Sequence, residues 1–198
     1  MADRREDRLE RFLTLTTEAI VARVAMNSPA ELAMRRVRAA IAAPKPRRAM
    51  PSPAPPPVCQ HLAPAITALE RGGGDLAGLA TALRTLTPQL AWRPRPSHDP
   101  VFTRGHANCA ILGADPDALE QRDDVRIGLS LVAPSVTYPD HHHPPEEVYI
   151  VLSPGEWRQK ADPWRAPGVG GIVYNPPDIV HAMRAGDAPL LAIWCLPV

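Results

Sequence analysis

The chain has 198 residues, enough for one compact domain with a substantial core plus an extension. Its 22 basic and 21 acidic residues leave a net charge of +1, so no charge excess indicates a nucleic-acid partner or an acidic solvated tail. Hydrophobic residues make up 45% of the sequence, which excludes an intrinsically disordered chain.

The spacing of the cysteines indicates a reducing compartment, and the charged N-terminus does not resemble a signal peptide. Cys59, Cys109 and Cys195 form no Cys-x-x-Cys pair, so a disulfide framework is not expected. The first residues lack the apolar segment of a signal peptide, and no apolar run reaches the ~20 residues that a membrane span needs. We therefore expect a cytoplasmic protein without a membrane partner.

Apolar residues recur at intervals of three or four in the first half of the chain, which predicts helices. The predicted helices span 4–26, 30–43, 60–71 and 75–86. The proline-rich segment 44–58 is expected to be an extended linker. Residues 1–95 are therefore predicted to be a helical extension, and residues 96–198 a second domain.

The second half consists of short segments rich in Val, Ile, Leu and aromatic residues, separated by turn residues. The predicted strands span 106–113, 125–133, 146–152, 155–160, 170–175, 179–185 and 189–196. Short strands at this spacing favour an all-β sandwich or barrel.

Residue types that bind metals precede and enter one predicted strand. His141 and His143 come just before Glu147, and Glu147 shares a strand face with Tyr149 because side chains alternate with a period of two. A carboxylate on an otherwise apolar strand is costly to bury unless it is paired or bound to a metal. This stretch is therefore a candidate site.

A second stretch supplies one more histidine. Gly170 precedes a predicted strand, Pro176 lies in a turn, and His181 begins the next strand. In a small barrel the two stretches could be neighbours, so that imidazole and carboxylate groups meet around one ion with open coordination positions. Such a site suits Fe2+, Zn2+, Mn2+, Ni2+ or Co2+, and affinity alone does not choose among these metals.

These two stretches resemble the two sequence motifs of the cupin superfamily. The matching residues are His141, His143 and Glu147 in the first motif and Gly170, Pro176 and His181 in the second. Ser135 and Asp178 stand where the motifs have glycine. The resemblance implies a mainly β fold, a cupin (double-stranded β-helix, or jelly-roll) barrel with an N-terminal α-helical extension and one divalent metal.

A narrower resemblance is to the cupin-type dimethylsulfoniopropionate (DMSP) lyases, in particular to the short DddQ-like group. It rests on Tyr138, five residues before a ligand histidine, and on Tyr149, two residues after the glutamate. It implies a carbon–sulfur lyase that cleaves DMSP by β-elimination to dimethyl sulfide and acrylate. Tyr149 would be the general base, and Tyr138 would orient the substrate or relay the proton.

The implied substrate carries a sulfonium cation, which an aromatic face attracts by about 0.5–2 kcal/mol. Tyr138, Trp157 and Trp194 are candidates to hold it. The stretches around the two tryptophans also look like the DddQ-like group.

Two other functions stay open from the sequence. One is another metal-dependent cupin enzyme, an isomerase or dioxygenase acting on a small carboxylate. The other is a non-enzymatic ligand-binding cupin, although the helices lack a helix-turn-helix with a basic recognition face. The helical extension could cap the barrel mouth, act as a lid or form a homodimer.

Overall fold

The computed structural model describes residues 6–45, 54–72 and 74–198 and combines helices with a β-barrel. The helices are α1 (Asp7–Val21), α2 (Pro29–Ile41), α3 (Leu62–Gly72), α4 (Ala77–Leu86) and α5 (Pro100–Gly105), with 3-10 helices at Pro57–His61, Gly74–Leu76 and Thr87–Gln89. The strands are β1 (His106–Gly113), β2 (Glu120–Gln121), β3 (Val125–Val132), β4 (Thr137–His141), β5 (Glu147–Val151), β6 (Glu156–Gln159), β7 (Ile172–Asn175), β8 (His181–Arg184) and β9 (Leu190–Pro197).

The four helices predicted in the first half are present, with ends that differ by a few residues. The predicted helix 4–26 stops earlier, at Val21, and the next helix begins at Pro29. Residues 46–53 of the predicted linker 44–58 lie outside the described residues. The end of that segment is not extended, because Pro57 begins a 3-10 helix.

The start of α2 follows from local chemistry. Ser28 is the N-cap, and its side chain accepts a hydrogen bond from the backbone N–H of Glu31 at 3.2 Å. The Glu31 carboxylate accepts one from the backbone N–H of Asn27, and Pro29 occupies the first helical turn, where no intrahelical donor is needed. The buried face of α2 contacts β9 and β5.

The strands form two sheets that face each other. The larger sheet has the order β2-β1-β3-β9-β5-β7, and the smaller has the order β4-β8-β6; all named pairs except β1–β2 are antiparallel. This two-sheet arrangement confirms the predicted cupin barrel, with the helices as its N-terminal extension.

Two hydrophobic cores lie on opposite faces of the larger sheet. Its outer face packs against the helices, and strand residues such as Ile127 and Ile193 share that core with Phe12 and Leu83. Its inner face and the smaller sheet enclose the barrel interior. Buried members of this second core include Val132, Tyr138, Tyr149, Trp157 and Met183.

Two short strands were not predicted. β2 has two residues, too few for a periodic pattern, and β4 contains Pro139 among polar residues. β4 nevertheless pairs with β8 on the edge of the smaller sheet, with a register shift between Tyr138 and His141. Proline is tolerated on an edge strand because one side needs no hydrogen-bond donor.

The residues that replace motif glycines adopt the backbone conformation that glycine favours. Ser135 has φ 59° and Asp178 has φ 58°, both in the left-handed region. Asp178 also donates its backbone N–H to the carbonyl of His143 at 3.0 Å. The loop between β7 and β8 is therefore tied to the loop that precedes β5.

One buried arginine joins the barrel to helix α2. Arg122, whose side chain has no exposed surface, donates to the carbonyl of Ala40 in the last turn of α2 and to that of Ala43 just beyond the helix. It also pairs with buried Glu120 and with Asp124, the latter at 2.7 and 2.9 Å. The strand connection thus caps the helix and neutralises a buried carboxylate.

No helix within the described residues combines the length and apolar character that crossing a membrane requires. The three cysteines are free, as predicted.

We expect Arg122→Met to lower the free energy of unfolding by about 3–5 kcal/mol, because it leaves the Glu120 carboxylate buried without this guanidinium. Denaturant unfolding measures the change. Arg38→Met, at an exposed position of α2, should leave the transition nearly unchanged. An Arg122→Met transition that coincides with the wild-type one would contradict this role.

Candidate metal centre

Three predicted ligands, one from a loop and one from each of the two sheets, meet at one end of the barrel interior. Glu147 begins β5, His181 begins β8, and His143 lies in the loop before β5. The Nε2 atoms of His143 and His181 lie 3.4 and 3.3 Å from Oε2 of Glu147. One ligand atom from each of the three residues lies within 4.8 Å of the others.

Backbone carbonyls fix which nitrogen of each ring faces the site. Nδ1 of His143 contacts the carbonyl of Pro145 at 2.8 Å, and Nδ1 of His181 contacts that of Ile179 at 2.9 Å. A carbonyl oxygen only accepts, so Nδ1 carries the hydrogen in each neutral ring and Nε2 presents a lone pair.

The three atoms fit a metal ion. Two imidazole lone pairs and a carboxylate oxygen repel one another at 3.3–3.4 Å unless a cation lies between them. Ligand atoms bound about 2.1 Å from one ion lie roughly 3–3.4 Å apart. The buried Nε2 of His181 also has no hydrogen-bond partner among the described residues. The donor set is therefore suited to one divalent metal.

Electrostatics also keep the carboxylate ionised. Burial alone would raise the pKa of Glu147, but His143 and His181, which can donate to it when they carry a second proton, outweigh burial and lower that pKa to about 2. The pKa of His143 is raised, chiefly by its contact with Glu147. The site therefore attracts a cation, whether a proton or a metal ion.

His141, the fourth predicted ligand, lies beside this group. Its ring centroid is 4.1 Å from that of His181 and 6.3 Å from that of His143. It is not in the set whose ligand atoms lie within 4.8 Å of one another. Burial, and then the charge of His181, lower the pKa of His141 to about 4, so this ring is neutral near pH 7.

A network of side-chain amides orients the carboxylate of Glu147. Asn175, fully buried on β7 and paired with Glu147 in the sheet, donates from Nδ2 to Glu147 Oε2 at 2.9 Å. Gln159 on β6 donates to Asn175 Oδ1 at 2.8 Å and to the carbonyl of Tyr174 at 2.7 Å. These bonds bridge the edges of the two sheets and orient the carboxylate.

The two predicted catalytic tyrosines have different surroundings. Tyr149 is buried two residues after Glu147; burial, and then the Glu147 carboxylate, raise its pKa well above the ordinary value. Tyr138 accepts a short hydrogen bond from Arg95 Nη1. Burial raises the pKa of Tyr138 to about 12, although the Arg95 guanidinium acts in the opposite direction.

Rings pack around Tyr138. His141 stacks on it at 4.1 Å with an interplanar angle of 3°, and Phe102 stacks at 4.8 Å with an angle of 27°. His106 lies 4.7 Å away, fully buried, and burial lowers its pKa to about 3. Neutral rings thus surround this phenol, and its hydroxyl faces Arg95.

A cavity of about 150 Å³ adjoins the candidate site. The residues that line it are Arg95, Asn108, Arg126, Ser130, Tyr138, His141, His143, Glu147, Tyr149, Trp194 and Leu196. Trp194 therefore shares the cavity with both tyrosines. Trp157 does not line it: its ring centroid lies 6.2 Å from that of Tyr149, and it lines a separate cavity between β6 and β7.

Several residues of the site carried no signal in the sequence. Arg95 lies in a loop, and Asn108, Arg126 and Asn175 lie on strands that only the sheet register brings together. Their alternation with apolar residues could at most have placed them on the barrel interior. The partners themselves depend on contacts between distant segments.

The family model described as dimethylsulfoniopropionate lyase matches residues 30–192. A putative DMSP lyase DddL of Cereibacter sphaeroides is 34% identical over 133 residues, which cover 66% of this chain and 54% of DddL. The DMSP lyase DddQ of Ruegeria pomeroyi is 39% identical over 57 residues, 28% of each chain. By sequence, the matched segment spans about half of DddL and 28% of DddQ.

Two solved structures share the fold over almost the whole chain. One comes from the pair of DMSP lyases RdDddP and RnDddQII, with a TM-score of 0.66, 20% identity and coverage of 96% of this chain and 92% of that one. The other is DddQ from Ruegeria pomeroyi, with a TM-score of 0.62, 22% identity and coverage of 98% and 93%. The family match extends over most of the chain and includes every predicted metal ligand. This chain belongs to the dimethylsulfoniopropionate lyase family.

Proposed function

We propose that this chain is a metal-dependent DMSP lyase, a carbon–sulfur lyase that converts DMSP to dimethyl sulfide and acrylate. The observation that supports it best is the convergence of three metal ligands beside a small cavity, which His143 and Glu147 line together with Tyr149. The names of its relatives and its family membership agree with this proposal.

In this proposal His143, Glu147 and His181 hold one divalent transition metal, and neutral His141 is a fourth candidate ligand. Fe2+, Zn2+, Mn2+, Ni2+ and Co2+ all suit such nitrogen and oxygen donors. When bound, the ion acts as a Lewis acid that stabilises negative charge on the carboxylate oxygens of the substrate.

Tyr149 is the proposed general base. Its oxygen takes the proton α to the substrate carboxylate, the electrons of that C–H bond form the double bond of acrylate, and the C–S electron pair leaves with dimethyl sulfide. Its surroundings favour the phenol form. A cation beside Glu147 would favour the phenolate that this step requires.

Tyr138 is proposed to orient the substrate or relay the proton, with its hydroxyl held by Arg95. Because rings already pack on Tyr138, Trp194 is the better candidate to face the sulfonium. Trp157 would act indirectly, by packing near Tyr149.

The division at residue 95 is also a proposal. Every proposed ligand lies within 96–198, whereas Arg95 reaches the cavity from the last residue of the helical extension. The extension would then contribute one side chain to the site as well as covering the outer face of the barrel.

We expect Tyr149→Phe to lower kcat for DMSP cleavage by about 10²–10⁴-fold, the usual contribution of a general base, while bound metal is unchanged. Dimethyl sulfide in the gas phase measures turnover. Tyr174→Phe is the matched control, because its hydroxyl donates to Glu146 instead. Near wild-type kcat for metal-loaded Tyr149→Phe would refute the assignment.

His181→Ala should abolish stoichiometric metal binding, because it removes one of three converging donors. Elemental analysis after dialysis against Zn2+ measures the content. The control is His142→Ala. The His142 side chain is 64% exposed, so this variant should keep one equivalent of bound metal. If both variants retain one equivalent, the ligand set is wrong.

Asn175→Ala should weaken metal affinity about 10–100-fold, because the amide orients a ligand carboxylate. Competition with a chelator of known affinity measures the change. The control is Asn108→Ala. Asn108 lines the same cavity, but its side chain makes no hydrogen bond to a ligand among the described residues, so this variant should bind metal normally. Equal affinities for the two variants would contradict the role of Asn175.

A further inference from the structure

The cavity contains a second cationic side chain that the proposed reaction has not used. Arg126 lies on β3 and lines the 150 Å³ cavity together with Glu147 and Tyr149. It also lines an adjoining cavity of about 320 Å³, with Asn108 and Trp194 common to both. Arg126 therefore stands where the candidate site opens into a wider space.

The sheet register places Arg126 level with the metal ligand. Arg126 pairs with Leu196 on β9, and Val148 pairs with Cys195 on the other side of β9. Glu147 and Arg126 are thus at the same height on the two strands that flank β9, with backbones about 10 Å apart. Both residues line the 150 Å³ cavity, Glu147 buried and Arg126 exposed to solvent, so a small molecule in that cavity can contact both.

Within residues 6–45, 54–72 and 74–198 the guanidinium of Arg126 makes no hydrogen bond or ion pair, whereas Arg95 donates to Tyr138. Asp115 lines the outer cavity, but its carboxylate accepts from the backbone N–H of Asp117 at 2.8 Å. The guanidinium is therefore available to an anion that enters the cavity.

The surroundings of Arg126 shape a pocket for a carboxylate. Its aliphatic stem packs against Gly113, where a side chain would meet Arg126 Cγ at 3.4 Å. A Cβ on Gly128 would overlap the Trp194 indole, so glycine is what lets that ring lie over β3. A guanidinium beside an indole suits a small acid with an apolar or cationic tail, because the guanidinium binds carboxylate oxygens in a planar fork.

We infer that Arg126 anchors the carboxylate of the substrate and makes the site selective for small carboxylates over neutral analogues. The inference rests on the proposed function for the identity of the substrate. Arg126 would place a second positive charge, besides the metal, on the side of the cavity opposite Glu147. Negative charge grows on the carboxylate as the α proton leaves, so the guanidinium stabilises that step as well as binding.

Binding of acrylate and of its neutral isostere acrylamide to the Zn2+-loaded protein tests this inference without turnover. Arg126→Met should weaken acrylate binding tenfold or more, as expected for the loss of a charge-assisted hydrogen bond. Acrylamide affinity should change less than twofold, and Arg126→Lys should fall between Met and wild type for acrylate. Arg38→Met should match wild type.

Equal acrylate affinity in wild type and Arg126→Met would overturn the inference, and Arg126→Gln and Arg126→Lys provide the same comparison if the Met variant does not fold. The two proposals fail separately. If Arg126→Met cleaves DMSP with wild-type KM and kcat, the anchoring role is wrong and the lyase stands. If wild type binds acrylate through Arg126 but does not cleave DMSP, the lyase is wrong and the carboxylate site stands.

Discussion

Two imidazole nitrogens point their lone pairs at one buried carboxylate oxygen, and this arrangement needs a cation. The carbonyls of Pro145 and Ile179 fix the ring tautomers, so the rings cannot relieve the repulsion by donating to Glu147 while they are neutral. The arrangement persists only if a proton or a metal ion occupies the space between the three groups. The remainder of the cavity is organised around that position.

The fold creates this position where its two sheets meet. Glu147 belongs to the larger sheet and His181 to the smaller one, so the ligands converge only because the sheets face each other. The hydrogen bonds of Gln159 with Asn175 bridge the two sheet edges directly behind Glu147. The barrel thus supplies Glu147 and His181 from inner strands of the two sheets, and their support from the neighbouring edge strands β7 and β6.

The sequence predicted the parts of the site that follow from local spacing. Glu147 and Tyr149 were predicted because a two-residue period places them on one strand face, and His143 and His181 were predicted as ligands from the spacing of the cupin motifs. Asn175 and Arg126 were not found, because their roles depend on which strands become neighbours. β4 was missed since an edge strand with a proline has no apolar alternation. The helices were predicted well because their apolar periodicity is local.

A crystal structure of the protein grown with Zn2+, with anomalous data collected above and below the zinc absorption edge, would locate the ion. We expect one anomalous peak bonded to Nε2 of His143, Nε2 of His181 and the carboxylate of Glu147. An occupied zinc site elsewhere, with these three side chains turned away from one another, would contradict it.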